Sequence, residues 1–285
     1  MAGFVGRPGK MLRARFCLQL GAGLGVDPSR AESAARVVEL VHNASLLHDD
    51  CVDAAIIRRG EATPNDLFGP AVGLLLGDLG FTQALEEAYE VSQTAPPHLI
   101  TAVREMTVGE LQEEFLKGSV ELSLDAYMGI AARKTGALFE WCGHVLSELS
   151  PHDPRPSDPP RLGCAAGILL QIVDDIHDFV LDAAVSGKAR GQDLKMGRLG
   201  LPAVLALADP AVAPEFSRLQ RDLPRDPSAS ERIAELLVRT GKISAARDKG
   251  RELLRSMRQW ITGLPVREEA EALDFFVETM ARREF

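Results

Sequence analysis

The chain has 285 residues, 46% of them apolar and 26% charged, and a formal net charge of −9. That length gives ample core for one large domain or two small ones, and the composition is that of an ordinary globular protein. The negative balance argues against nucleic acid or an anionic membrane surface as partner. No apolar run reaches the ~18 residues of a membrane span and the N-terminus lacks a signal-peptide pattern, so a cytoplasmic protein without a transmembrane segment is expected.

Alternating runs of Val, Ile, Thr and Tyr are nearly absent while Ala, Leu, Glu and Arg dominate, which predicts an all-α fold. Lys10-Met11-Leu12-Arg13 opens a helix to about residue 21. Ser29 is the expected N-cap of the next, with Glu32 completing a capping box. That helix runs through Val37, Leu40, Val41 and Leu47 to Asp49, and residues 54–64 form a loop holding Arg58-Arg59-Gly60. A third helix covers 67–91. Ala95-Pro96-Pro97 starts a fourth, to about residue 117, and Ser123 caps a fifth, to about 149, that carries Lys134-Thr135. Residues 150–160 contain five prolines and form an extended connection. A second acidic helix fills 161–182, a glycine- and lysine-rich loop follows to 200, and shorter amphipathic helices broken at Pro210, Pro224, Pro227 and Gly263 complete the chain. No repeat of fixed period is present, so residues 1–285 are expected to form a single helical domain. The four cysteines (Cys17, Cys51, Cys142, Cys164) include no CxxC pair and are read as small packed residues of a reducing compartment.

Two acidic clusters organise this layout. In His48-Asp49-Asp50-Cys51-Val52-Asp53, Asp49 and Asp53 are four apart and share a helical face, while Asp50 is turned about 100° away. The arrangement returns in Gln171-Ile172-Val173-Asp174-Asp175-Ile176-His177-Asp178, 125 residues later, so each cluster has its own helix. Two such helices facing each other would present six carboxylates to one cavity, and like charges that close need cations between them. Oxygen ligands favour Mg²⁺, which keeps several waters and binds through a few carboxylates plus substrate phosphates. One cluster alone reads equally well as a solvated helix end. Two copies, each ending a strongly apolar helix, favour the metal.

Basic residues are spaced as a diphosphate site would need them. Lys10 and Arg13 are three apart, Arg58 and Arg59 follow the first cluster closely, Lys134 lies mid-helix, and Lys188 and Arg198 flank the later loop. Guanidinium forks bind phosphate bidentately and lysine acts as a point charge. His42 stands two turns before Asp49 on the same face, where its imidazole could donate to phosphate. His48 adjoins the carboxylates but points elsewhere, and is read either as a packed residue or as one that supports the metal ligands from one contact away.

These residues carry a family resemblance. The run from His42 to Asp53, then Arg58-Arg59-Gly60, Leu76-Gly77-Asp78, Gly109-Glu110-Leu111-Gln112, Lys134-Thr135 and Gln171 to Asp178 resembles the trans-isoprenyl diphosphate synthases (polyprenyl synthetases), over nearly the whole chain from about Gly9. Departures are Pro8 and Met11 in the opening basic motif, Leu170 for the customary Phe, Arg198 for Lys, and Gly200 where Thr is common. The resemblance implies a mostly antiparallel helical bundle around a deep central cavity, usually homodimeric. It implies three Mg²⁺ per site, with Asp49 and Asp53 binding two and Asp174 the third, and Asp50, Asp175 and Asp178 on the metals or one contact removed. Arg58, Lys134 and Lys188 would hold an allylic diphosphate, Thr135 and Gln171 would border its tail, and Lys10, Arg13, His42 and Arg59 would bind isopentenyl diphosphate. A class I terpene cyclase on the same fold is one rival. Its second metal motif usually reads Asn-Asp-x-x-Ser-x-x-x-Glu, whereas Asp178 and Asp182 stand at the Ser and Glu positions here. A non-catalytic subunit of a heteromeric synthase is another, and would be expected to have lost aspartates that this chain keeps. In the resembling family, aromatics four and five residues before the first aspartate close the pocket at C15. Here those positions are the small Ser45 and Ala44, which implies an all-trans product of C20 or longer, with Leu40, Phe81 and Phe115 as candidate floors.

Overall fold

The local chemistry of the chain sets its helix ends, as a computed structural model describing residues 10–119, 121–153, 158–180, 191–226 and 228–282 makes visible. Among these residues the expected all-α class holds, with one two-stranded hairpin beside fourteen α-helices. Helix α1 (Leu12–Gly23) begins after Met11, which takes a left-handed conformation and offers no side-chain cap. Glu39 of α2 (Pro28–Val52) fills that role, accepting from Ala14 N at 3.1 Å. The cap of α2 itself is Asp27 and not Ser29, since its carboxylate accepts from Ser29 N and Arg30 N while Pro28 presets the first turn. At its other end Ala55 N reaches back to Asp50 O, and Ala54 between them has φ 48.

The expected loop after α2 contains a short antiparallel pair, β1 (Ile57–Arg58) and β2 (Glu61–Ala62), in the register Ile57 to Ala62 and Arg58 to Glu61. Arg59 and Gly60 both have positive φ, as a tight two-residue hairpin turn requires. The single helix expected over 67–91 is two, α3 (Pro64–Phe68) and α4 (Pro70–Val91), because Gly69 at φ 87 breaks the chain and Pro70 restarts it. Next comes α5 (Ala95–Phe115). Ser123 does cap the following helix, α6 (Leu124–Ala131), but a wide π-helical turn (Ala132–Gly136) separates it from α7 (Ala137–Leu149). The second acidic helix is α8 (Asp158–Val180). Then come α9 (Gln192–Lys195), α10 (Leu201–Leu207), α11 (Ala213–Asp222), α12 (Ala229–Arg239), α13 (Lys242–Ile261) and α14 (Arg267–Arg282).

The described residues divide into two compact units. One comprises Met1–Val103, Leu138–Arg161 and Gly263–Leu273; the other comprises Arg104–Ala137, Leu162–Thr262 and Asp274–Phe285. In the first, α2 packs along α4 and against α1. Phe16 meets Phe139 edge to face at 5.3 Å, Leu20, Val37, Val41 and Leu146 are fully buried, and Trp141 Nε1 donates to Ala95 O. Each such large side chain contributes roughly 1.5–3 kcal/mol on burial. In the second unit, Ile172, Ile176 and Phe179 of α8 pack with Leu201, Val204, Phe216, Ile233 and Leu237 of the later helices. All four cysteines are free thiols, and no helix among the described residues is long and apolar enough to cross a membrane.

Candidate functional site

Helix α2 delivers its three aspartates at its C-terminal end, where no basic residue offsets the helix dipole. Asp50 is 2% exposed and receives Arg58 Nε at 2.5 Å. Burial raises its pKa and Arg58 works against that rise. Asp49 and Asp53 stay partly exposed, and Arg59 is exposed at the tip of the hairpin. Asp50, Arg58 and Arg59 line a cleft of about 40 Å³ with Asn43, Leu47 and Thr63. His42 Nε2 lies 3.2 Å from an Arg13 Nη1 whose guanidinium also sits 5.6 Å over the Phe139 ring. Burial, then the charges of Arg13, Arg59 and Arg58, hold His42 well below its usual pKa, so it is neutral and accepts from Arg13. Lys10 is exposed and lies before α1, so it does not share a helical face with Arg13 as the spacing predicts.

His48 packs away from this cleft, as expected. Its ring meets Phe81 at 5.4 Å, and Nε2 lies 3.0 Å from Leu74 O and 3.3 Å from Asp78. Gly77 makes the room, since a Cβ there would fall 2.2 Å from the imidazole. The same approach brings that Cβ position within 3.2 Å of Ala44 O, and Ala44 is fully buried between the helices. Ser45 is half-buried, its hydroxyl donating to His42 O. Leu40 packs beside Leu47 and Leu76, whereas Phe115 is 85% exposed.

In the second unit Asp174 is exposed and Asp175 is buried. Asp175 accepts from Tyr127 Oη at 2.6 Å, Leu201 N at 2.7 Å and Gln171 Nε2 at 2.8 Å. Burial pushes its carboxyl up to about 7 while those three donors pull the other way. Gln171 accepts in turn from Thr135 Oγ1 at 2.9 Å, so one chain of hydrogen bonds fixes Thr135, Gln171 and Asp175. Asp178 accepts from Gln192 N and Asp193 N, at the start of α9. Lys134 and Thr135 lie in the wide turn, a local geometry frequent at functional sites. Gly167 of α8 lets that turn come close, since a Cβ there would meet Gly136 Cα at 2.6 Å. Lys134 and Arg198 both reach glutamates of α5. Lys188 lies outside the described residues.

The six aspartates therefore divide by use. Asp50, Asp175 and Asp178 are committed to protein donors. Asp49 and Asp53, like Asp178, are partly exposed, and Asp174 is exposed. Their oxygens suit a hard cation. Among the described residues no three His, Cys, Asp or Glu side chains form a ligand cluster.

The polyprenyl synthetase family model matches residues 1–239. The chain belongs to that family. Octaprenyl diphosphate synthase of Haemophilus influenzae is 31% identical over 201 residues, 70% of this chain and 61% of that protein. Geranylgeranyl diphosphate synthase of Mycobacterium tuberculosis is 33% identical over 212 residues, 71% of this chain and 59% of that protein. The chain thus spans about three fifths of the length of these relatives. Among solved structures, the polyprenyl synthase of Caulobacter crescentus complexed with calcium and isoprenyl diphosphate matches with a TM-score of 0.88 at 27% identity, over 98% of this chain and 86% of that one. Relatives within the polyprenyl synthetase family differ in the product their names state, so membership leaves chain length open. Sequence reasoning passed over Tyr127, Glu113 and Glu114. The glutamates did leave a signal, for with Glu110 they stand at helical spacing on one face of α5, opposite two cations.

Proposed function

We propose that this polyprenyl synthetase is an Mg²⁺-dependent prenyltransferase that joins isopentenyl diphosphate head-to-tail to an allylic diphosphate, giving an all-trans product of C20 or longer. The observation that carries the reading is a division of labour repeated in both units. In each, an aspartate open to solvent is followed by a buried one spent on fixing a neighbour: Asp50 holds Arg58, and Asp175 holds Gln171 and Tyr127. The calcium and isoprenyl diphosphate bound by the Caulobacter relative support the same ligand classes here.

On this reading Asp49, Asp53 and Asp174 carry the metals, and Asp50, Asp175 and Asp178 keep the surrounding groups in place. Mg²⁺ held there would supply positive charge against the departing diphosphate. Arg58, Lys134, Lys188 and Arg198 would hold the departing diphosphate by charge-assisted hydrogen bonds. Lys10, Arg13 and Arg59 hold isopentenyl diphosphate, His42 setting the pose of Arg13. Thr135 and Gln171 border the allylic tail. The isopentenyl double bond forms the new C–C bond to the allylic carbon, the old C–O electrons leave with diphosphate, and the proton lost from the isopentenyl carbon goes to that diphosphate. Val72, Leu75 and Leu79 form an exposed apolar row on α4, which supports a homodimer.

Incubation with Mg²⁺ and an allylic diphosphate, with and without isopentenyl diphosphate, tests the reading. Elongated product is expected only with both substrates. Asp49→Asn and Asp174→Asn should each abolish turnover without lowering the melting temperature, because each removes a charge from a crowded acidic site. Consumption of the allylic substrate alone, full activity in excess EDTA, or an active Asp174→Asn enzyme would defeat it.

A further inference from the structure

Lys134 and Arg198 do not stand as unmatched cations. Lys134 Nζ lies 2.6 Å from Glu110 Oε2 and 2.6 Å from Glu113 Oε2. Arg198 Nε lies 3.1 Å from Glu113 Oε2, and its Nη2 is 3.6 Å from Glu110 and 3.5 Å from Glu114. Glu114 also pairs with Lys117. Among the described residues Glu110, Glu113 and Glu114 face Lys134, Arg198 and Lys117, and Glu113 is the ion that touches both Lys134 and Arg198 most closely. Burial alone would lower the pKa of Lys134, yet Glu113 and Glu110 carry it above the usual lysine value. The Arg198 guanidinium is charged at any working pH. The side chains remain reachable, Lys134 being 24% and Arg198 17% exposed.

We propose that Glu113 is a positioning residue that holds Lys134 and Arg198 in place and, by matching their charge, restricts this half of the site to diphosphate that arrives with a divalent cation. The proposal rests on the reading above, that these two cations meet a diphosphate. Free diphosphate would have to take the cations from Glu113 and leave a carboxylate half-buried beside phosphate oxygens, an unfavourable arrangement. Metal-bound diphosphate brings compensating charge with it. The same balance favours letting diphosphate go once its metal is lost.

Titration calorimetry of inorganic pyrophosphate into the full chain, in MgCl₂ and in EDTA, separates the outcomes for wild type and Glu113→Gln. Wild type should bind pyrophosphate in MgCl₂ and only weakly in EDTA. Glu113→Gln removes the carboxylate that Lys134 and Arg198 share, weakens their hold on counter-charge, and should bind in EDTA about tenfold more tightly than wild type. Pyrophosphate should also become a stronger product inhibitor, with KM for the allylic substrate and kcat falling together. Equal or weaker binding by the variant in EDTA overturns the proposal, as does a raised KM, the sign expected if Lys134 merely lost its support. Glu110→Gln touches the same two cations and must shift binding in the same direction, which keeps the test decisive if Glu113→Gln folds poorly. Should wild type bind no pyrophosphate in either buffer, the prenyltransferase reading falls and this proposal with it. Wild-type binding in MgCl₂ with unchanged variants defeats the role of Glu113 alone.

Discussion

His42 shows how much one side chain depends on what surrounds it. Two turns from the first aspartates it reads as a phosphate donor, but burial and three nearby guanidinium groups keep it neutral and turn it into an acceptor for Arg13. Its folded pKa is depressed, so the unfolded chain takes up a proton near pH 6.5 that the folded chain refuses. Stability from this group is therefore intact above about pH 6.5 and falls as pH drops toward the folded value, by up to roughly 1.4 kcal/mol per pH unit. His42→Gln, which keeps an acceptor for Arg13, should flatten that part of the profile, as urea midpoints at pH 7.5, 6.5 and 5.5 would register; an unchanged slope would place the titration elsewhere. Ser45 and Ala44 also part company. Both are small, which alone suggests open space for a growing tail, but Ala44 lies packed against α4 while Ser45 remains half-buried. Ser45→Phe should shorten the product, because a phenyl ring fills space the next isoprene unit needs. Chromatography of dephosphorylated products would show this, and a wild-type end product of C15 would refute the premise. At this scale the spacing of the aspartates was legible in sequence, but the burial of Asp50 and Asp175 and the donors that hold them were not. Those donors include Arg58, Tyr127 and the backbone of Leu201, and only folding brings Tyr127 and Leu201 together.

At the scale of elements, helices with a strong cap and a long apolar stripe were legible and their interruptions were not. Ser123 announces α6, but nothing in the periodicity of 123–149 marks the wide turn at Ala132–Gly136. It is stabilised from outside, by the close approach of Gly167. Gly167→Ala should push the new methyl against backbone at Thr135 and Gly136, atoms that cannot rotate away, and cost about 1–3 kcal/mol in a urea titration. A loss under 0.5 kcal/mol would mean that the helices separate freely. The hairpin that turns at Arg59–Gly60 was missed for a different reason. Strands of two residues carry no alternation to read, and their turn uses Arg59 in a conformation more typical of Asn or Asp.

Across the whole molecule, the absence of alternating β-runs gave the all-α class, and the paired acidic motifs gave the family. Most boundaries between the two units left no mark in the sequence, because they fall inside α5, α7, α8 and α14, where helical periodicity continues; only the one at residues 262–263 coincides with a break read from the sequence, Gly263. The surface is more informative. Val72, Leu75 and Leu79, at 37%, 66% and 49% exposure, fall at i, i+3 and i+7 on α4, a stripe that a monomer would leave in water. Leu75→Glu combined with Leu79→Glu should reduce the sedimenting mass from two chains to one; a wild-type monomer would remove the case for a second copy there. The close of α2 has a quieter consequence. Ala54 occupies a left-handed position that glycine would occupy without penalty, so the fold forgoes something on the order of 1 kcal/mol between Asp53 and Arg58. What it gains is a stiffer tether. A methyl group narrows the excursions open to the chain, and the two charges on either side of it keep a nearly constant separation. Ala54→Gly should accordingly relieve the backbone strain and loosen the link between Asp53 and Arg58 in the same step.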